Sequence, residues 1–219
     1  MPEQIPLDTG SPAATITLFD LLMKGGPVMI PILFLSMATV YILVERVLYL
    51  RSVTKRKVRV VDQLKKCLED GDTKSARRVA QQDSSASGKV ILNALEFVGR
   101  PFRELESLIE SSAEIELGRM ERNVAFLGVI AGVAPMLGFI GTISGIIHIF
   151  YSISLSDNIS IGIIAGGLYE KMVTSGAGLV VGVMAYAAYH FLQQWIQRYS
   201  LTLQEDALKF MKAITTGSK

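Results

Sequence analysis

Charge is scarce in this chain. Of its 219 residues, 19% are Asp, Glu, Lys or Arg, against roughly a quarter in ordinary soluble domains. Half are hydrophobic, and the mean hydropathy is +0.38. The scarcity is also uneven. Among Asp, Glu, His, Lys and Arg, only His148 and Asp157 occur from Val124 to Asn158. A gap of that length exceeds the roughly 20 residues needed to cross a bilayer, which excludes an ordinary water-soluble globule. Cysteine is nearly absent too. The single Cys67 rules out a disulfide framework within the chain and reads as a free thiol in a reducing compartment. The first residues, Met1-Pro2-Glu3-Gln4, bring no basic run and no A-x-A-like site ahead of the first apolar stretch, so no cleaved signal peptide is expected. No set of residues has metal-ligand spacing. There is no Ser-His-Asp arrangement and no phosphate-binding loop. Neither an enzyme, nor a cofactor, nor a nucleic-acid partner is expected. Internal repeats and low-complexity segments are missing as well, and the net charge of +2 says little by itself.

What the chain does have is three long apolar stretches. Residues 1–26 form the segment before the first of them, with Ile16–Met23 patterned as a short amphipathic helix lying on the membrane. Gly25-Gly26-Pro27 breaks that helix. The first span covers 27–50, with Pro31 in its opening turns, where a missing donor costs least, and with Glu45 and Arg46 at its far end. Basic residues crowd after it: Arg51, Lys55, Arg56, Lys57 and Arg59. The positive-inside rule then predicts an outside N-terminus and a cytoplasmic region over 51–123. That region reads as short helices over Val58–Glu69, Thr73–Gln82 and Lys89–Val98, with Asp72 as an N-cap. A long helix then opens at Pro101 and is expected to continue unbroken into the membrane. The second span covers 124–153, with Pro135 as an expected bend. An outer turn covers 154–160, and the third span 161–197, where Trp195 and Tyr199 suit an inner aromatic belt. The tail, 198–219, is basic and inside. The expected fold is thus an all-α membrane protein: three transmembrane helices with long helices extending into a cytoplasmic helical domain.

The hairpin of the second and third spans carries the candidate site. Small residues recur at four-residue spacing, in Gly128/Gly132, Gly141/Gly145 and Gly178/Gly182, with Gly138 between. Such spacing lets helices approach closely in lipid. Thr142 and Glu170 fall at similar depth, roughly 16–18 Å below the outer ends of their helices at about 1.5 Å per residue. Thr174 and Ser175 lie one turn deeper than Glu170. An acid inside an apolar span costs roughly 2.5–3.5 kcal/mol on insertion scales and is by default a functional residue. Glu170, Thr174, Gly178 and Gly182 form one face at i, i+4 spacing, which suits a water-containing or partner-filled cavity better than lipid. The alternative is that the hydroxyls merely bond back to carbonyls of their own helices. Lys171 stands beside Glu170, pairing with a neighbouring subunit or snorkelling. His148 is a packing or pore-mouth residue. Lys171 and His148 are candidate modulators, with a proton relay the alternative for His148.

Two motifs carry a resemblance. A-P-M-L-G-F-I-G-T-I-S-G-I-I (134–147) resembles the A-P-L-L-G-L-L-G-T-V-x-G-M-I signature of the ExbB/TolQ/MotA proton-channel family. G-G-L-Y-E-K-M-V-T-S-G-A-G-L-V-V (166–181) resembles its second signature, G-I-x-E-A-L-x-T-T-A-x-G-L-V-x. The first span fits through G-G-P-V-M-I-P-I (25–32) and V-E-R (44–46), and the length and the opening G-G-P-V-M side with the ExbB branch. The resemblance implies a homo-oligomer, a pentamer, in the bacterial inner membrane. Its pore would hold an ExbD-like single-span dimer whose helices each carry a protonatable Asp, and proton flow would drive a TonB-like protein serving outer-membrane transport. By position, Thr142 matches the family's pore threonine, Thr174 and Ser175 its T-T pair, and Glu170 its intramembrane glutamate. Lys171 stands where the family has alanine, and Val183-Met184 where it has Ile-Pro, so the third helix is expected to lack a kink there. Alternatives are a TolQ-like, gliding or secretion motor subunit, or a non-conducting structural membrane scaffold in which Glu170 and Lys171 simply pair.

Overall fold

The computed structural model describes residues 25–55, 63, 66, 67, 72–155 and 161–217. The expected amphipathic helix over Ile16–Met23, most of the helix over Val58–Glu69, and Asp157 in the outer turn lie outside the described residues. Six helices are delimited: α1 Met29–Val53, α2 Thr73–Gln81, α3 Ala86–Leu95, α4 Phe102–Glu121, α5 Val124–Ser154 and α6 Ile161–Gly217. Three of them, α1, α5 and α6, are long and apolar enough to cross a membrane. The fold is that of an all-α membrane protein. The chain divides into two compact units, one of residues 1–35 and 133–182, the other of 36–132 and 183–219.

The second unit holds two apolar clusters. One joins Leu50 and Val53 of α1, Met120 of α4, Val124 and Leu127 of α5, and Leu192 and Ile196 of α6. The other joins Ala76 and Ala80 of α2, Val90 and Ala94 of α3, Leu105 and Ile109 of α4, and Leu203, Phe210 and Ala213 of α6. Each helix supplies one face. Leu105, Ile109, Ser112, Glu116 and Met120 recur at three- and four-residue spacing along α4 and are its buried residues, the stripe of an amphipathic helix. Helix α2 opens at Asp72, whose carboxylate accepts from the Ser75 amide at 3.0 Å. The Ser75 hydroxyl first, and then its amide, hold the Asp72 carboxyl below its usual range. Helix α3 is capped by Ser85, which accepts from the Gly88 amide at 3.2 Å, while buried Asp83 accepts from the Ser85 amide at 3.0 Å. The helix expected from Lys89 to Val98 therefore starts and ends three residues earlier. Gly88 is needed there, because a Cβ would lie 2.6 Å from the Asp83 carbonyl oxygen.

Two expectations are corrected. The helix opening at Pro101 does not run on into the membrane. It ends at Glu121, Arg122 is extended at ψ 134, and Asn123 is left-handed at φ 67. Asparagine tolerates that region better than other residues bearing a side chain, so it can end a helix where no Gly or Pro marks the stop. The guanidinium of Arg46, itself buried, donates to the Arg119 carbonyl at 3.2 Å and so caps the end of α4. The basic tail continues α6 as a single helix of 57 residues, in keeping with the expectation that long helices extend beyond the spans. Its Leu203, Phe210 and Ala213 keep a buried stripe going through the tail. Tyr199 is not a belt residue. It is 7% exposed, its hydroxyl accepts from the Ser87 amide at 3.3 Å, and it packs in the α1–α6 cluster.

Candidate functional site

The site lies in the first unit, where α5 from Val133 and α6 up to Gly182 pack as antiparallel partners. Residue numbers fall along α6 as they rise along α5: Gly138 faces Gly178 and Ser175, Gly141 faces Thr174, Gly145 faces Lys171, and Ile149 faces Gly167. The closest approach is backbone to backbone. A Cβ at Gly178 would lie 2.6 Å from the Ala134 carbonyl oxygen and 3.0 Å from the Gly138 Cα. A Cβ at Gly138 would lie 3.1 Å from the Ser175 Cα and oxygen. These glycines are required by the crossing, as small residues are wherever helices close up in lipid. Gly145 serves differently, since the aliphatic stem of Lys171 occupies the notch it leaves. Gly182 is buried. In the other unit, a Cβ at Gly128 would come nearest to the Tyr189 ring, at 3.5 Å, and one at Gly132 would meet nothing within 4 Å.

The seam sets two hydroxyls. Thr142 Oγ1 lies 3.2 Å from the Gly138 carbonyl oxygen of its own helix and 3.3 Å from the Lys171 carbonyl oxygen of α6. Its proton is thus directed to backbone oxygens, and its lone pairs are what it offers to another group. Thr174 is 0% exposed and donates to the Gly25 carbonyl at 2.7 Å, in the turn just before α1. Its methyl rests against Gly141, and Val28 closes the same spot. Thr174 therefore ties three chain segments together. Ser175 is half-buried at the crossing, and His148 is exposed. Glu170 is helical in backbone, one residue from the Lys171 carbonyl that Thr142 reaches; its side chain lies outside what is described. Sequence reasoning missed the Gly25 carbonyl and the Ile149–Gly167 contact. A Gly-Gly-Pro turn ahead of a span, whose carbonyls have few helical donors, was the available signal for the first.

The sequence profile of the MotA/TolQ/ExbB proton channel family matches residues 77–205, more than half of the chain. A biopolymer transport protein of Synechocystis sp., ExbB-like 3, is 26% identical over 186 residues, covering 84% of this chain and 89% of its own length. The biopolymer transport protein ExbB of Neisseria gonorrhoeae is 37% identical over 84 residues, 38% of either chain. The Tol-Pal system protein TolQ of Haemophilus influenzae is 29% identical over 101 residues, 46% of this chain and 42% of its own.

Proposed function

The chain belongs to the MotA/TolQ/ExbB proton channel family, and from that premise we propose that it is the ring-forming subunit of a proton-driven motor in the bacterial inner membrane. Five copies surround an ExbD-like dimer, each of whose helices brings a protonatable Asp. The work passes to a TonB-like protein that energises outer-membrane transport. The N-terminus is periplasmic and the C-terminus cytoplasmic. One observation carries the reading: the Thr142 hydroxyl, held between the Gly138 and Lys171 carbonyls at 3.2 and 3.3 Å, next to the helical position of Glu170.

That placement supports a definite role. With its proton committed to carbonyls, Thr142 accepts a hydrogen bond from a protonated carboxyl without rearranging. To serve a carboxylate, it must swing its own proton off the backbone. The wall therefore welcomes the neutral form of the partner's Asp and yields to the charged form at the expense of one backbone bond. Ser175 and Glu170 complete the polar wall, and the glycine surface between gives a neutral carboxyl an unobstructed path. Thr174 keeps the hairpin and the Gly25 turn in register, and Lys171 and His148 tune the charge nearby.

A second reading has an observation behind it. Both threonine hydroxyls donate to carbonyls, as a non-conducting scaffold would also require. Reconstitution separates the two. The chain and its single-span partner, placed together in liposomes under an inside-negative potential, should acidify the lumen, and the partner's Asp→Asn variant should not. An intact complex that passes no protons would make the scaffold the better description. A TolQ-like, gliding or secretion role would show as a different partner, with the same proton flux.

A further inference from the structure

Where α1 and α6 leave their apolar stretches, the second unit has an open groove of about 770 Å³, lined by Arg51, Thr54, Phe191, Gln194, Trp195 and Arg198 among others. A second groove shares Arg51, Thr54 and Trp195 and adds Lys55. The volume is within the roughly 300–1,000 Å³ of small-ligand sites. The groove lies where both helices change character together. Past Glu45 and Arg46, α1 is apolar to Leu50, and the chain is then basic at Arg51 and Lys55; from Leu179, α6 is apolar to Leu192 apart from His190 and then carries Trp195 and Arg198. That transition marks the boundary between hydrocarbon and headgroups. Among the described residues, those lining either groove include no acid.

The geometry points to a binding site for the headgroup of an anionic phospholipid of the inner leaflet, with the phosphate between Arg51 and Arg198 and an acyl chain running along Phe191. Three features fit that occupant. Two guanidinium groups with fixed planar donors suit a phosphate better than one diffuse charge does. Lys55 adds a third cation. Phe191 is 58% exposed and stacks edge-on against Trp195, ring centres 6.0 Å apart, so the groove has an apolar floor on its membrane side and an amphipathic ring at its rim. The nearby threonines are already engaged, Thr54 to the Leu50 carbonyl at 2.7 Å and Thr202 to the Arg198 carbonyl at 3.3 Å. Recognition thus falls to the arginines and Gln194.

The chain has one tryptophan, and it lines this groove, so the protein reports on its own occupant. The full chain is placed in phosphatidylcholine bilayers containing brominated phosphatidylglycerol or, separately, brominated phosphatidylcholine, and Trp195 fluorescence is read against bromolipid fraction. The phosphatidylglycerol curve should reach half-quenching at a bromolipid fraction about tenfold lower. In the Arg51→Gln, Arg198→Gln double variant the two curves should coincide, and Arg198→Lys should fall between. Equal quenching of the parent by both lipids overturns the proposal. Relief of quenching by millimolar inorganic phosphate also overturns it, assigning the site to a free phosphate. Unequal curves that persist in the double variant place the selectivity elsewhere and overturn it as well. A native mass measurement covers a second copy of the chain as occupant. If the oligomer dissociates in the double variant while its preference for anionic lipid is unchanged, the groove is a subunit contact.

Discussion

Thr142 is where the proposed function can be broken with least collateral change. Valine has nearly the same shape, so Thr142→Val keeps the seam while removing the group that lies 3.2 and 3.3 Å from the Gly138 and Lys171 carbonyls. Neither carbonyl is orphaned, since carbonyls this deep in a helix also accept from the next turn. The expected result is loss of nearly all proton-driven work, tenfold or more, with the complex intact by native mass. Thr142→Ser should keep much of it, because the hydroxyl remains. Normal uptake by Thr142→Val in an intact complex would reduce the hydroxyl to packing. The glycines make a contrasting pair of substitutions. Gly178→Ala places a Cβ 2.6 Å from the Ala134 carbonyl oxygen, a backbone atom that cannot rotate away. Overpacking of that kind costs about 1–3 kcal/mol. Gly176 sits two residues earlier, and a Cβ there would meet nothing within 4 Å. Gly176→Ala should leave stability unchanged or raise it by up to about 1 kcal/mol through helix propensity. Unfolding of both variants by a denaturing detergent should rank them far apart; equal midpoints would mean that the α5–α6 crossing gives way easily.

Helices differ in how plainly their sequences declare them. The three spans were legible because apolar length alone decides them, and α2 because Asp72 is followed by an amphipathic run. The α4–α5 break was not legible. Charges stop at Arg122, the helical pattern continues, and the stop is made by one Asn in a left-handed conformation, which asparagine adopts only when its surroundings favour it. Part of that surrounding is remote in sequence: Arg46 is pinned by Glu45 at 2.7 Å, lies 5.1 Å over the Tyr49 ring, and donates to Arg119. The polar arrangement of the α5–α6 hairpin was half legible. Spacing placed Thr142 beside α6, but only the packing at Gly141 and the Gly25 carbonyl reveal that Thr174 turns inward. Two predictions belong to these elements. Arg46→Met removes a charge-assisted bond to a helix end and should cost about 1.5–3 kcal/mol, with Arg46→Lys intermediate, read by the same unfolding assay. An unchanged midpoint would mean that α4 ends there without help. At α2, the Asp72 carboxyl titrates below the ordinary value of 3.8 because it accepts from Ser75. A depressed acid contributes stability in full above the unfolded value and loses it as pH falls through the folded one. Protection of the Ser75 amide, corrected for intrinsic exchange, should thus hold at neutral pH and fall only below about 3.8. In Asp72→Ala it should be low throughout.

At the scale of the whole molecule the testable property is sidedness. Three crossings would put the two termini on opposite faces, and the positive-inside rule would choose which. Arg51, Lys55, Arg56, Lys57 and Arg59 follow the first span, and Glu3, Asp8, Asp20 and a single Lys24 precede it. The second unit adds an argument that does not depend on charge. Leu50 and Val53 at the end of α1, Val124 and Leu127 at the start of α5, and Leu192 and Ile196 late in α6 share one apolar cluster. A chain that leaves the membrane after α1, re-enters at α5 and leaves again along α6 must gather those three ends on one side, and α2, α3 and α4 lie between them in sequence on that side. If that side is cytoplasmic, the link between α5 and α6 is periplasmic. Asn158 falls in that link, outside the described residues, and Cys67, between α1 and α5 in sequence, would then be cytoplasmic. In intact spheroplasts an impermeant maleimide should label Asn158→Cys and leave Cys67 unlabelled. Cys67 is half-buried, so its silence could reflect packing rather than sidedness. Ser111→Cys in a Cys67→Ser background removes that ambiguity, because Ser111 is exposed on α4. It should react only after lysis. Labelling of Ser111→Cys in intact spheroplasts, with Asn158→Cys silent until lysis, would invert the protein in the membrane and place the basic groove of Arg51 and Arg198 on the periplasmic leaflet.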